Sequence, residues 1–175
     1  MSAWSDPSFL IIQSIGVVGF GLFALSFQWL RPRHTILQQS LANMILCGHF
    51  WALGHEIATF IAFAASLRDI GSALGSKQVQ ISALCVFLVL LYTAAFFLVE
   101  GWVDCCAVAG STVATIAQFF RRKFYVYRFC MVGHQILWLI VYWVIFSIPG
   151  LVFLSSILLS NIIGVVRHFM KNKTF

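Results

Sequence analysis

Seven times along the chain an apolar run of about twenty residues ends at a short polar corner. The runs extend approximately from Ser8 to Leu30, Thr35 to Gly54, Ile57 to Ser76, Val79 to Val99, Val103 to Phe120, Tyr125 to Phe146 and Leu151 to Met170. A hydrocarbon core of about 30 Å takes about 20 residues of helix at 1.5 Å each. Each run is therefore sized to cross a bilayer once. The corners are RPRH, HE, KQ, EGW, RRK and SIPG. No linker, low-complexity stretch or second domain separates the runs, so the pattern predicts one all-α transmembrane domain over residues 1–175. Asp6 and Pro7 make a good start for the first helix, an N-cap acceptor followed by a proline at the first helical position. No Lys or Arg precedes the first run, so it lacks the basic region of a secretory signal and is read as structure.

Charge supports a count of seven. With Arg68 and Asp69 set aside, the other ten basic residues all fall on one side of the predicted bundle: Arg31, Arg33, Lys77, Arg121, Arg122, Lys123, Arg128, Arg167, Lys171 and Lys173. Asp6, Glu56, Glu100 and Asp104 fall on the other. Six or eight spans would scramble this separation. Lys and Arg collect on the cytoplasmic side of membrane proteins, so the N-terminus is predicted outside and the C-terminus in the cytoplasm. The net charge of +6 is mostly this asymmetry and calls for no nucleic acid. It favours anionic lipid headgroups on the cytoplasmic side.

Composition agrees: 61% of residues are hydrophobic and 9% charged, against about a quarter charged in a soluble domain. Almost nothing remains for an extramembrane domain, which excludes ATP hydrolysis by this chain and predicts no enzymatic activity. The five cysteines form no CxxC motif and read as small buried hydrophobes; Cys105 and Cys106 are adjacent, a placement that rarely bridges.

The pattern also repeats. FQWLRPRHTILQQSLAN, from Phe27, aligns with AQFFRRKFYVYRFCMVG, from Ala117: each closes a span with a Gln, crosses a basic corner and opens the next span. Gln28 meets Gln118 and Arg31 meets Arg121. ASLRDIG then faces LSNIIG, pairing Gly71 with Gly164 and Arg68 with Asn161. Spans one to three (about 8–76) thus resemble spans five to seven (about 103–170), with span four (about 79–99) as linker. An odd-numbered unit followed by one extra span gives two parallel units, related by an axis along the membrane normal.

RPRHTILQQSLANMILCGHFWALG joins a basic corner, a Leu-Gln-rich turn, an Asn and a His-aromatic pair ending in Leu-Gly. It resembles the signature of the YgjV-type bacterial inner-membrane proteins. AASLRD, LSNIIGVVRH and the Gly110 region of span five fit as well, so the resemblance covers nearly the whole chain. Trp138 and Tyr142 stand four apart, wider than the family's spacing, which leaves Tyr142 outside what is implied. The resemblance implies an inner-membrane location and no established activity. The overall shape is similar to SWEET sugar carriers and PnuC-type vitamin transporters. In SWEET-like carriers the matching Asn of the last helix lines the substrate pocket, and that role carries here to Asn161.

Arg68 is the sharpest feature. If span three ended at Leu67 it would hold about eleven residues from Ile57, little more than half the core. The helix should continue through RDIGSALGS, with Arg68 in the inner half of the membrane. A bare charge at the bilayer centre costs about 2.5–3.5 kcal/mol on insertion scales. Asp69 is adjacent, and adjacent helical residues do not face each other. Arg68 is therefore expected to reach across the bundle, with Asn161 its candidate counterpart by repeat symmetry. A guanidinium there suits a carboxylate or phosphate. The bland reading is that Arg68 snorkels to the interface or pairs locally.

Gln39, Asn43 and Cys47 form one stripe of span two; Met131, Gln135, Trp138 and Tyr142 form one of span six. Amides beside aromatics orient a ring or sugar, and equally bind helices together. His49 and His134 lie within spans and are candidates for a proton relay; no metal-ligand spacing surrounds them. Trp29, Trp51 and Trp102 read as interface anchors.

The sequence thus predicts seven transmembrane helices in a SWEET- or PnuC-like arrangement and movement of a small polar solute with an anionic or strongly accepting group, through a pocket where the repeats meet. Arg68 and Asn161 form its floor, with Asn43, Gln39, Gln135 and Trp138 as further binding residues. No cofactor or metal is expected, and a homo-oligomer is left open. Two other classes fit the same residues: a non-transporting accessory or scaffold protein, and an oxidoreductase holding haem or metal on His49 and His134.

Overall fold

The computed structural model describes residues 7–29, 31–120 and 123–173. Asp6, Arg121 and Arg122 lie outside them, as do the side chains of Arg167, Lys171 and Lys173. The described residues form seven α-helices: α1 (Pro7–Leu25), α2 (Pro32–Ala52), α3 (Glu56–Leu74), α4 (Lys77–Leu98), α5 (Trp102–Phe119), α6 (Phe124–Val144) and α7 (Ile148–Lys173). A 3-10 turn, Ser26–Gln28, follows α1. Among the described residues there is no strand.

Corner chemistry sets the helix ends. Pro32 opens α2 at a position where a missing N–H costs nothing. Gly54 turns the chain between α2 and α3 at φ +74°, a conformation that suits a residue without Cβ. At the start of α5 the Asp104 carboxylate accepts from the backbone N–H groups of Glu100 (2.9 Å) and Gly101 (3.2 Å). α1 stops at Leu25, short of the expected Leu30, because the 3-10 turn and the extended Trp29 and Arg31 lead into Pro32. α7 instead starts three residues early and runs through Lys173; its 26 residues span about 39 Å.

Six helices, all but α2, are long and apolar enough to cross a membrane. α2 carries too many polar side chains to qualify, and it uses them on its neighbours. Gln38 donates to the Leu22 carbonyl of α1 (2.8 Å), while Ser40 meets the Ser66 carbonyl and hydroxyl of α3 at 3.0 and 2.8 Å.

The helices close into a ring. α1 packs on α2, α2 on α3, α3 on α5, α5 on α6, α6 on α7, and α7 back on α1, while α4 packs against α3 and α5. α3 supplies much of the core through Ile57, Ala58, Ile61, Ala62, Ala64 and Ala65. Small side chains let helices approach closely where lipid supplies no hydrophobic drive. Gly16 shows how close: a Cβ there would lie 2.7 Å from the His49 ring and 2.9 Å from Pro149. Large apolar side chains cover the outside, with Phe96 of α4 83% exposed. The five cysteines are unpaired, and Cys85 and Cys105 are exposed rather than buried.

Candidate functional site

The ring surrounds a cavity of about 250 Å³ to which all seven helices contribute side chains. At one level it is polar. Gln39 and Asn43 of α2, one turn apart, face it together with Arg68 and Asp69 of α3. Gln118 of α5 and Gln135 of α6 face it from the opposite half. One to two turns further out the wall is aromatic. Phe50 lies 6.0 Å from Trp138 and 5.9 Å from Tyr142 between ring centroids, and Trp138 lies 5.3 Å from Tyr142.

Arg68 does not reach across the bundle to Asn161. Its Nε and Nη2 both donate to Asp69 Oδ1, at 2.9 and 2.7 Å. Helical neighbours do point apart, but the arginine stem is long enough to curl back around the helix. The guanidinium also lies over the Phe87 ring of α4, 4.9 Å from its centroid, a cation–π arrangement. Asn43 Nδ2 donates to Asp69 Oδ2 (3.1 Å) and ties the pair to α2. Asp69 is 8% exposed, so this carboxylate is buried and compensated.

Asn161 is held elsewhere. Its Oδ1 accepts from Arg128 Nη1 (2.7 Å) and its Nδ2 donates to Gln135 Oε1 (3.3 Å). It is not among the side chains lining the cavity but supports Gln135, which is. The structure therefore brings Arg68, Asn43, Gln39, Gln135, Trp138 and His134 to one cavity and leaves Asn161 and His49 outside it.

His49 joins α2 to α1 and to the corner between α6 and α7. Its Nδ1 lies 2.9 Å from the Ile12 carbonyl of α1, and its Nε2 lies 2.8 Å from Ser147 Oγ, just before α7. Both ring nitrogens are engaged, and the ring does not line the cavity. His134 Nδ1 donates to the Gly110 carbonyl of α5 (2.9 Å). There a Cβ on Gly110 would come within 3.0 Å of Trp138. The α6 stripe faces the cavity as its spacing predicts. On α2 the lining residues beyond Asn43 are Leu46 and Phe50, and Cys47 is not among them. Among the described residues no three His, Cys, Asp or Glu side chains gather as a metal site.

Sequence reasoning missed Asp69 as a site residue, having set it aside as a mere neighbour of Arg68. It also missed Arg128 as the partner of Asn161. The signal was present: Arg128 stands one turn into α6 and seven residues before Gln135, on the same helix face.

A bundle of apolar helices closed around a cavity with a polar level is a polytopic membrane protein. The chain belongs to the Imp-YgjV family of bacterial inner membrane proteins, whose family model matches residues 10–172. It is accordingly a multi-pass protein of the bacterial inner membrane. No curated protein and no solved structure matches the chain.

Proposed function

We propose that this protein carries a small polar solute across the inner membrane through the cavity at the centre of the helix ring. The observation that carries this reading is the Arg68–Asp69 pair on the cavity wall, in a helix whose one other charge, Glu56, stands at its first residue. Removing ions from water costs several kcal/mol each, and apolar packing often serves stability as well or better. Ionisable groups within a membrane usually mark a solute or ion path.

The packing order supports two parallel repeats. Exchanging α1, α2 and α3 for α5, α6 and α7 turns the α1–α2 contact into α5–α6, α2–α3 into α6–α7, and α1–α7 into α5–α3; each is a contact the ring makes. Equivalent polar links support it too. Asn43 bonds Asp69 across α2 and α3, Gln135 bonds Asn161 across α6 and α7, and both pairs are 26 residues apart. This register sets Asp69, rather than Arg68, opposite Asn161. We read α2 as the seventh crossing, the N-terminus as external and the basic face as cytoplasmic, against anionic headgroups. Rocking between the halves would hinge at Gly71 and Gly164, since the prolines stand at helix ends. The chain works without enzymatic activity.

The accessory-protein reading has one observation in its favour: the Arg128–Asn161–Gln135 network binds α6 to α7. One experiment separates the two. The unfolding midpoint of the detergent-purified protein is recorded against carboxylates, phosphates, sugars, nucleosides, vitamins and amino acids, with Arg68→Ala alongside. A ligand present at 100 times its Kd raises stability by about 2.7 kcal/mol. Concentration-dependent stabilisation by one class, absent in a folded variant and matched by uptake into proteoliposomes, supports the carrier. A folded protein that responds to none and takes up none sinks it.

A further inference from the structure

We infer that the solute is a zwitterion with an apolar, ring-sized body. This rests on the reading of the central cavity as a solute pocket and names its class. Arg68 and Asp69 present opposite formal charges side by side, and their sum is zero. Each keeps capacity for a ligand. Arg68 Nη1 has no partner among the described residues, and Asp69 Oδ2 accepts only one bond, from Asn43. Among the described residues no other Asp, Glu, Lys or Arg lines the cavity, and His134 faces it with Nδ1 committed to the Gly110 carbonyl.

A net anion entering here would leave one uncompensated negative charge in the membrane interior, and a net cation one positive charge. Either is costly in so poor a solvent. A zwitterion adds no net charge. Its carboxylate meets the guanidinium and its ammonium meets the Asp69 carboxylate. Both contacts are charge-assisted, roughly twice as strong as neutral hydrogen bonds. The solute's body follows from the next level of the wall. Phe50 stands seven residues beyond Asn43 on α2, about 10 Å along the helix. With Trp138 and Tyr142 it forms an aromatic wall of the cavity that suits a ring or branched chain. The cavity of about 250 Å³ has room for one such molecule. A sugar also adds no net charge, but it brings no charged group to match Arg68 Nη1 or Asp69 Oδ2.

The test uses three probes that share one ring: L-phenylalanine, phenethylamine, which lacks the carboxylate, and phenylpropionate, which lacks the ammonium. Glucose and uridine serve as neutral polar probes. Binding is measured by calorimetry on the full-length protein in detergent, for wild type, Asp69→Asn and Arg68→Gln. The expected result is that wild type binds the zwitterion at least about tenfold tighter than either truncated probe. Asp69→Asn, which leaves the guanidinium bare, should then prefer phenylpropionate, and Arg68→Gln should prefer phenethylamine. A purely structural pair would not exchange ligand preference in this way. Phenylpropionate binding wild type as well as L-phenylalanine overturns the inference, above all if it takes up a proton. So does binding confined to glucose or uridine, or equal loss of all probes in folded variants. In each of these cases a pocket still binds a solute, and the carrier reading survives. Silence of a folded wild type to all five probes overturns the inference; the carrier reading falls only if the wider panel and the uptake assay are silent as well. If a variant fails to fold, the wild-type probe series still decides.

Discussion

His49 was legible as an unusual residue, a histidine inside an apolar run, but its chemistry depended on partners 37 and 98 residues away. Removing it should act on stability and not on the cavity. His49→Ala loses two hydrogen bonds at a fully buried position and should cost about 1–3 kcal/mol. A lower unfolding midpoint with ligand affinity unchanged checks this; affinity lost at an unchanged midpoint would contradict it. Gly110 should behave in the opposite way. Gly110→Val places atoms where Trp138 stands and should push that ring into the cavity, so binding falls more than stability. Arg68 was equally visible, as a charge where none belongs. Its partner stood only in the bland reading, as local pairing, because helix geometry keeps adjacent side chains from facing and says nothing of a flexible stem that curls back. Asn161 was paired with Arg68 by repeat alignment, and a shift of one residue in that alignment would set Asp69 opposite it instead.

At the scale of the helix, boundaries were legible wherever corner chemistry wrote them: Pro32, Gly54, Gly75 and the Gly101–Asp104 cap each stand within a residue or two of an observed end. Capping makes a prediction. Asp104→Ala removes the acceptor of two backbone N–H groups and should destabilise by about 0.5–2 kcal/mol, read as a lower unfolding midpoint. The end of α1 was not legible, because apolar residues continue past Leu25 while the backbone has already left the helix. α2 shows the limit of hydropathy. Its polar side chains sum to a poor membrane segment, yet they bond α1 and α3. Fused alone to a topology reporter, α2 should insert inefficiently; preceded by α1 and followed by α3, it should insert fully.

For the whole molecule, seven helices were legible because lipid imposes a length on apolar helices. The ring order was not, since it depends on which small residues meet. One edge of the ring should respond to pH. His55, in the α2–α3 corner, lies 3.4 Å from Asp104 of α5, with Glu56 and Glu100 in the same acidic corners. Burial holds the His55 pKa below its ordinary value although Asp104 acts to raise it. A depressed pKa means the folded state binds fewer protons than the unfolded one. This contribution is present above the unfolded value of about 6.5 and is lost as pH falls. Unfolding midpoints should therefore drop on acidification below about pH 6.5, and His55→Gln should flatten that part of the profile. A last consequence follows from Gln13. Its side chain donates to the Phe146 carbonyl (3.0 Å) and accepts from the Ile148 N–H (3.2 Å), so the first helix is fastened to the final corner of the chain. A ribosome delivers those partners more than 130 residues apart. Until the last hairpin emerges, the nascent chain must hold an unsatisfied glutamine in the lipid. Biogenesis should therefore pass a late commitment point, before which the half-built ring is the form most exposed to degradation.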